Sequence, residues 1–171
     1  MPNWCENDLY VRGTKEELAK FKEAVKGTNH QGEEVLITEE KIIPYPDKFK
    51  ELDRVAAEYH KAHPAPEDYF KGPKDGFNQG GYEWCNENWG TKWGFGNVEL
   101  RSEEDQELEY GFETAWAPPE PLIKKLGEMF PQLEFELKYF EAGAGYSGVL
   151  RIVKGKVVEE HSGEYSGSRG G

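Results

Sequence analysis

The amino-acid sequence predicts an α+β fold of the ferredoxin-like type: a split β-α-β antiparallel sheet with a large helical insertion and an extra C-terminal hairpin. Three observations predict it. An alternating strand followed by a capped amphipathic helix opens the chain, a strand, strand, helix, strand order follows residue 93, and a turn-separated strand pair closes it. The 171 residues fit one domain carrying an insertion.

Asn7 to Arg12 alternates through Leu9 and Val11 and ends at Gly13, where the chain turns without a side-chain penalty. Thr14 and Glu17 form a capping box. Leu18, Phe21 and Val25 recur at helical spacing until Gly27, so a helix is expected over Lys15 to Lys26, its charged face in water. The insertion runs from about Thr28 to Lys92. In it, Val35 to Ile37 and Lys41 to Ile43 are short apolar pieces, and Pro44 and Pro46 impose a corner at Ile43. Phe49, Leu52, Val55, Ala56 and Tyr59 share one stripe, which predicts a second helix from about Asp47 to His60, broken by Pro64 and Pro66. His63 to Gly81 is rich in Pro, Gly, Lys and Asp and reads as a mobile loop or the cap of a site.

After Trp93, Asn97 to Ser102 and Glu107 to Thr114 form a predicted hairpin with Val98, Leu100, Leu108, Tyr110 and Phe112 inward. Pro118 and Pro119 introduce a helix, Pro119 to Phe130, with Leu122, Ile123, Leu126, Met129 and Phe130 as its apolar stripe. Leu133, Phe135, Leu137 and Tyr139 alternate strictly with Glu134, Glu136 and Lys138, a strand with one wet face. Lys154-Gly155 separates Tyr146 to Val153 from Lys156 to Glu160 as a terminal hairpin. Residues 1–161 are thus read as the domain, and the Gly- and Ser-rich residues 162–171 as a flexible tail.

Composition narrows the function classes. Acidic residues number 33 against 21 Lys and Arg, a formal net charge of −12. That opposes general nucleic-acid binding, whose affinity comes from cations that neutralise phosphates. Hydrophobic residues are 36% and aromatics 13%, which predicts a small, aromatic-rich core. No apolar window has the length of a membrane span, and Met1 to Arg12 lacks the basic flank and apolar run of a signal peptide, so a soluble protein in the cytoplasm of a bacterial host cell is expected. Cys5 and Cys85 are read as reduced, buried and inert thiols, too few for an iron–sulfur cluster, and no cofactor is expected.

Several blocks resemble one family. Met1-Pro2-Asn3-Trp4-Cys5-Glu6-Asn7-Asp8-Leu9, Ile42-Ile43-Pro44-Tyr45-Pro46, Asn88-Trp89-Gly90-Thr91-Lys92-Trp93, Phe112-Glu113-Thr114-Ala115-Trp116-Ala117-Pro118-Pro119 and Tyr139-Phe140-Glu141-Ala142-Gly143 are similar, in order, to blocks of the YubB-type ferredoxin-like family of phage and plasmid proteins. That family is largely uncharacterised. The resemblance implies a fold and a mobile-element origin, and no activity. Lys61 to Gly81 and the residues after His161 lie outside it.

Two candidate sites emerge. Tyr82, Trp84, Asn86, Asn88, Trp89, Lys92 and Trp93 crowd aromatics and amides into one segment, which suits a sandwich around a planar base; the competing reading plugs the tryptophans into the core and spends the amides on turns. Glu99, Glu103, Glu104, Asp105, Glu107 and Glu109 load the predicted hairpin with like charge, countered within it by Arg101 alone, at a cost that a cationic partner relieves; a solvated face is the plainer alternative. His60 and His63, with distant Cys5 and Cys85, lack the second close ligand pair of a zinc site, so no metal is expected. No nucleophile–base pair identifies catalytic residues. Gly143 to Gly148 resembles a phosphate loop superficially, because no helix follows it.

The expected function is a binding protein of a phage or mobile element, non-enzymatic, that inhibits a host defence factor through an acidic surface contacting a basic protein. The alternative is a sponge for a nucleotide-like signal in the aromatic segment, with a small-nucleotide hydrolase third. The edge strand of the terminal hairpin offers a route to a homodimer.

Overall fold

The computed structural model describes residues 3–29, 32–65 and 70–167. Strand β1 (Trp4–Arg12) and helix α1 (Lys15–Val25) come first, as the pattern predicts, and the Thr14 hydroxyl accepts from the Glu17 N–H at 3.3 Å to cap the helix. After the insertion come β4 (Gly96–Glu103), β5 (Glu107–Ala115), helix α4 (Glu120–Met129), β6 (Glu134–Glu141), β7 (Tyr146–Val153) and β8 (Lys156–Glu164).

These strands form a six-stranded antiparallel sheet in the order β4-β5-β1-β6-β7-β8. Its first four strands, with α1 and α4, are the split β-α-β arrangement, so the fold is ferredoxin-like, and the β7–β8 hairpin widens it past β6.

Alternation along the strands separates two faces. Cys5, Asn7, Leu9 and Val11 of β1 are buried, with Leu108, Tyr110 and Phe112 of β5, Phe135 and Leu137 of β6, and Leu150 and Ile152 of β7. Leu18, Phe21 and Val25 of α1 and Leu122, Ile123 and Leu126 of α4 cover them. Phe21 meets Tyr110, Phe130 and Phe135 edge-on, with centroids 6.3, 5.3 and 5.7 Å away. The opposite face has no helix over it among the described residues.

The insertion holds a short hairpin, β2 (Gly27–Thr28) with β3 (Glu34–Val35), a 3₁₀ turn at Glu39–Lys41, helix α2 (Asp47–Ala62), a second 3₁₀ turn at Phe77–Gln79, and helix α3 (Gly81–Asn88). One helix is expected there and two are present. Helix α3 is short, opens on two glycines and has a weak apolar stripe, so the aromatic segment does not show helical spacing. A second correction concerns the tail. Ser162 and Gly163 are ladder residues, because β7 offers partners along its whole length and Tyr146 pairs with Glu164. Beyond β8, the Tyr165 N–H donates to the Gly145 carbonyl at 2.7 Å, and its ring stacks on Phe140 at 4.9 Å and 11°. Residues 168–171 of the expected tail lie outside the described residues. No described helix is long and apolar enough to cross a membrane.

Gly127 sets the distance of α4 from the sheet: a Cβ there would stand 2.5 Å from the Ile152 Cγ2. Gly127→Ala is therefore expected to destabilise the protein by about 1–3 kcal/mol, although alanine is the better helix former by about 1 kcal/mol. Urea unfolding followed by tryptophan fluorescence checks the sign, and a stabilised variant would contradict this packing.

Candidate functional site: the open face of the sheet

Helix α3 disperses the aromatic segment. Trp89 is buried, and its Nε1–H donates to the Ile43 carbonyl at 2.8 Å, tying the insertion's corner to the helix end. Trp84 is half-buried and meets Trp89 edge-on at 5.4 Å. Tyr45 sits between them and Phe49, with ring centroids at 5.7, 5.8 and 5.5 Å. Asn86 and Asn88 donate to the carbonyls four residues before them, Tyr82 and Trp84. Tyr82 is exposed and packs on Phe77, whereas Trp93 packs on Trp4 with Lys92 over its ring. The seven candidates therefore face three ways: into the core, along α3 towards solvent, and across the sheet's edge.

The acidic hairpin is split by a β-bulge. Leu100 is opposite Tyr110, but Ser102 is opposite Glu109 and Glu103 opposite Leu108, so the alternation of β4 shifts by one residue. Glu103 consequently turns to the helix side and meets Lys22 at 2.8 Å, while Asp105 in the turn meets Lys15 at 3.0 Å. Glu104 is exposed in the same turn. The expected single patch is two surfaces, one of them neutralised by α1.

The other surface is the open face. It presents Glu6, Asp8 and Arg12 of β1, Glu99 and Arg101 of β4, Glu107, Glu109 and Glu113 of β5, Glu134, Glu136 and Lys138 of β6, Arg151 of β7 and Glu159 of β8. Arg12 reaches Glu107 at 2.5 Å, Glu136 at 3.5 Å and Glu134 at 3.6 Å, bridging three strands. Arg151 meets Glu134 at 2.7 Å, Lys138 meets Glu136 at 3.3 Å, and Arg101 meets Glu99 and Asp8. Glu6, Glu109 and Glu159 form no ion pair among the described residues. Glu6 stands directly opposite Glu113, a like-charge cross-strand pair. The face is thus a carboxylate-rich lattice with too few cations of its own.

One end of this sheet holds residues that sequence reasoning missed. Trp116 has φ of 71°, a left-handed conformation costly for a bulky residue, and is 52% exposed. It is fixed on both sides: its N–H donates to the Asn3 carbonyl at 3.0 Å, and its carbonyl accepts from the Tyr146 hydroxyl at 2.6 Å. Trp4 is 40% exposed nearby on the open face. A chain poor in aliphatics suggests buried tryptophans, so two exposed ones are not legible from composition. From Ala117 onwards the chain borders a cleft of about 800 Å³, lined also by Pro118, Glu120, Tyr139, Tyr146 and Glu164. Burial, more than the neighbouring carboxylates, raises the pKa of Tyr139 and Tyr146.

Cys5 and Cys85 are buried, free thiols, and burial pushes the pKa of each from 9.0 up to about 12. They are protonated and unreactive near neutrality. Tyr59 stacks on His63 at 4.2 Å, and no metal-binding cluster occurs among the described residues.

Among comparisons with known proteins, a family model described as the ferredoxin-like domain in Api92-like protein matches residues 89–169. The crystal structure of the protein api92 from Yersinia pseudotuberculosis superposes with a TM-score of 0.60 over 98% of this chain and 99% of that one, at 13% identity. That likeness is one of fold. No curated protein matches the chain.

Two predictions follow from this packing. The Tyr45 hydroxyl is buried without a hydrogen-bond partner among the described residues. Tyr45→Phe removes an unpaid desolvation cost and should raise the unfolding free energy by about 1 kcal/mol, read from urea melts. The thiols set the alkaline limb. Their raised folded-state pKa means that stability is complete below about pH 9 and declines as pH rises towards 12, because the unfolded chain releases protons that the folded chain keeps. The slope is at most about 1.4 kcal/mol per pH unit for each thiol. Cys5→Ala with Cys85→Ala should delay the onset to about pH 10, where the buried tyrosines begin to contribute.

Proposed function

We propose that the chain is a binding protein of the Api92-like, YubB-type group of mobile-element proteins, non-enzymatic, that docks a basic host protein on the open face of its sheet. The observation that carries this reading is the unbalanced lattice: among the described residues, Glu6, Glu109 and Glu159 have no ion-pair partner and no helix covers the face, and Glu6 is set against Glu113. Like charges held together in this way cost stability, and a cationic partner recovers it. A defence protein with a basic nucleic-acid channel has the complementary charge. The acidic turn at Glu103 to Asp105 is a weaker contact surface, because Lys22 and Lys15 already occupy two of its carboxylates. The cytoplasm of the host cell is where such a partner would be met.

The test is affinity capture from host lysate at about 50 and 500 mM salt, with the triple variant Glu6→Lys, Glu109→Lys, Glu159→Lys alongside the native chain. Electrostatic docking is screened within roughly 3–10 Å over about 0.1–1 M salt. Partners retained by the native chain at low salt should be lost at high salt and lost by the variant. Glu58→Lys on α2 should keep them. A folded triple variant, verified by circular dichroism, that retains every partner would sink the proposal.

A further inference from the structure

A second concavity adjoins the acidic face. Between the β2–β3 hairpin and the segment entering β4 lies a cleft of about 920 Å³, walled by Trp93, Phe95 and Phe77 and carrying the carboxylates of Glu33, Glu39 and Asp75. Its size is within the range of ligand pockets. Among the described residues lining it, none is Lys or Arg. A phosphate-bearing ligand would therefore meet three carboxylates and no cation, and the aromatic walls favour a different guest.

We infer that this cleft binds a guanidinium group, and that the occupant is an arginine side chain of the basic partner; the occupant, though not the chemistry of the cleft, rests on the docking reading above. Aromatic faces attract cations through their quadrupole, and carboxylates pair with guanidinium in planar, two-pronged geometry. Guanidinium is flatter and less strongly hydrated than ammonium, so it stacks on rings with less desolvation cost. Trp93 already attracts a cation: Lys92 Nζ lies 4.7 Å from its centroid, outside the cleft's lining. Glu39 is held by the backbone. The Phe95 N–H donates to its Oε2 at 3.3 Å, and its carboxylate passes so close to Gly94 that a Cβ there would collide with it. Among the described residues, the Glu33 carboxylate accepts from the Asn29 Nδ2 at 3.0 Å, and that of Asp75 accepts from the backbone and side-chain amides of Asn78. The cleft also adjoins the open face, since Trp93 packs on Trp4 and Asn97 donates to Glu113 at 2.7 Å. A partner laid across the sheet can reach it over the β4 edge.

The experiment is a two-dimensional ¹H–¹⁵N NMR titration of the full chain with N-acetyl-argininamide, and with its neutral citrulline counterpart as control. The Trp93 indole signal is assigned by its loss in Trp93→Phe. Saturable shifts of that indole and of the Phe95 and Asn97 amides are expected with the arginine probe alone. Glu33→Gln and Glu39→Gln should each weaken binding about fivefold; the exposed Glu33 variant keeps the test valid should the Glu39 variant not fold. No saturable shift, shifts located elsewhere, or equal shifts with the citrulline probe would overturn the inference. If the probe fails while the triple lysine variant still loses its partners, the cleft is excluded and the docking face stands. If the probe binds and the triple variant keeps its partners, guanidinium binding stands while the partner arginine is overturned as its source.

Discussion

The central strand buries an amide, and the geometry at the tryptophan end of the sheet is built around satisfying it. Asn7 is 1% exposed in the middle of β1, where an unpaired amide would cost several hydrogen bonds. Its Nδ2 donates to the Cys5 carbonyl at 2.9 Å and to the Thr114 hydroxyl at 3.0 Å, and Thr114 in turn donates to the Ala117 carbonyl at 2.7 Å. A slip of β1 by one residue would carry Asn7 to the open face and bring Asp8 under the helices, so the amide fixes the register as strongly as the neighbouring leucines do. The bend at Ala117 follows, and with it the left-handed backbone of Trp116. Thr91 secures the same bend from the insertion side by donating to the Ala115 carbonyl at 2.9 Å. Buried Glu141 closes the next turn by accepting from the Gly143 N–H at 2.7 Å and from Ala144. A rigid polar frame thus holds an exposed indole in a costly conformation.

The ion pairs of the open face contribute little to stability. Most involve side chains about a third or more exposed, and such pairs contribute roughly 0–1 kcal/mol each. Their larger effect is on the field. Arg12, Arg101, Lys138 and Arg151 hold carboxylates in fixed positions, so the surplus charge of Glu6, Glu109 and Glu159 sits on an ordered surface rather than a fluctuating one. Association steered by such a field is fast and salt-sensitive, and its specificity comes from where the unmatched charges stand.

The fold was legible where one local rule dominates. Strict alternation from Leu133 to Tyr139 and the capping box at Thr14 carry β6 and α1 directly. It was illegible where tertiary contacts decide. Nothing in Leu100-Arg101-Ser102 announces a bulge, yet that single extra residue sends Glu103 towards Lys22 and divides the acidic hairpin. Helix α3 hides because its amides bond back along its own backbone and its tryptophans serve a neighbour, Tyr45, distant in sequence. Residues after His161 read as a flexible tail from glycine and serine content, but composition does not register the unpaired edge that β7 offers. The open face itself is implied by alternating carboxylates, whereas the exposure of Trp4 and Trp116 is not.

Strand pairing also bears on what constitutes the domain. The family match at residues 89–169 takes in β4 to β8 and α4 but stops short of β1 and α1. In the sheet, β5 and β6 do not pair with each other; both pair with β1, along nine residues on one side and seven on the other. Without β1, the matched segment would fall into a two-stranded and a three-stranded piece with unpaired edges. Leu9 and Val11, at the centre of the core, would be missing as well. The sheet is therefore continuous only through Trp4–Arg12, and the long insertion joins two groups of strands that β1 holds together. The insertion's Thr91 and Trp93 contact Ala115 and Trp4, so the wall of the cleft at Trp93 is tied to the first strand of the sheet.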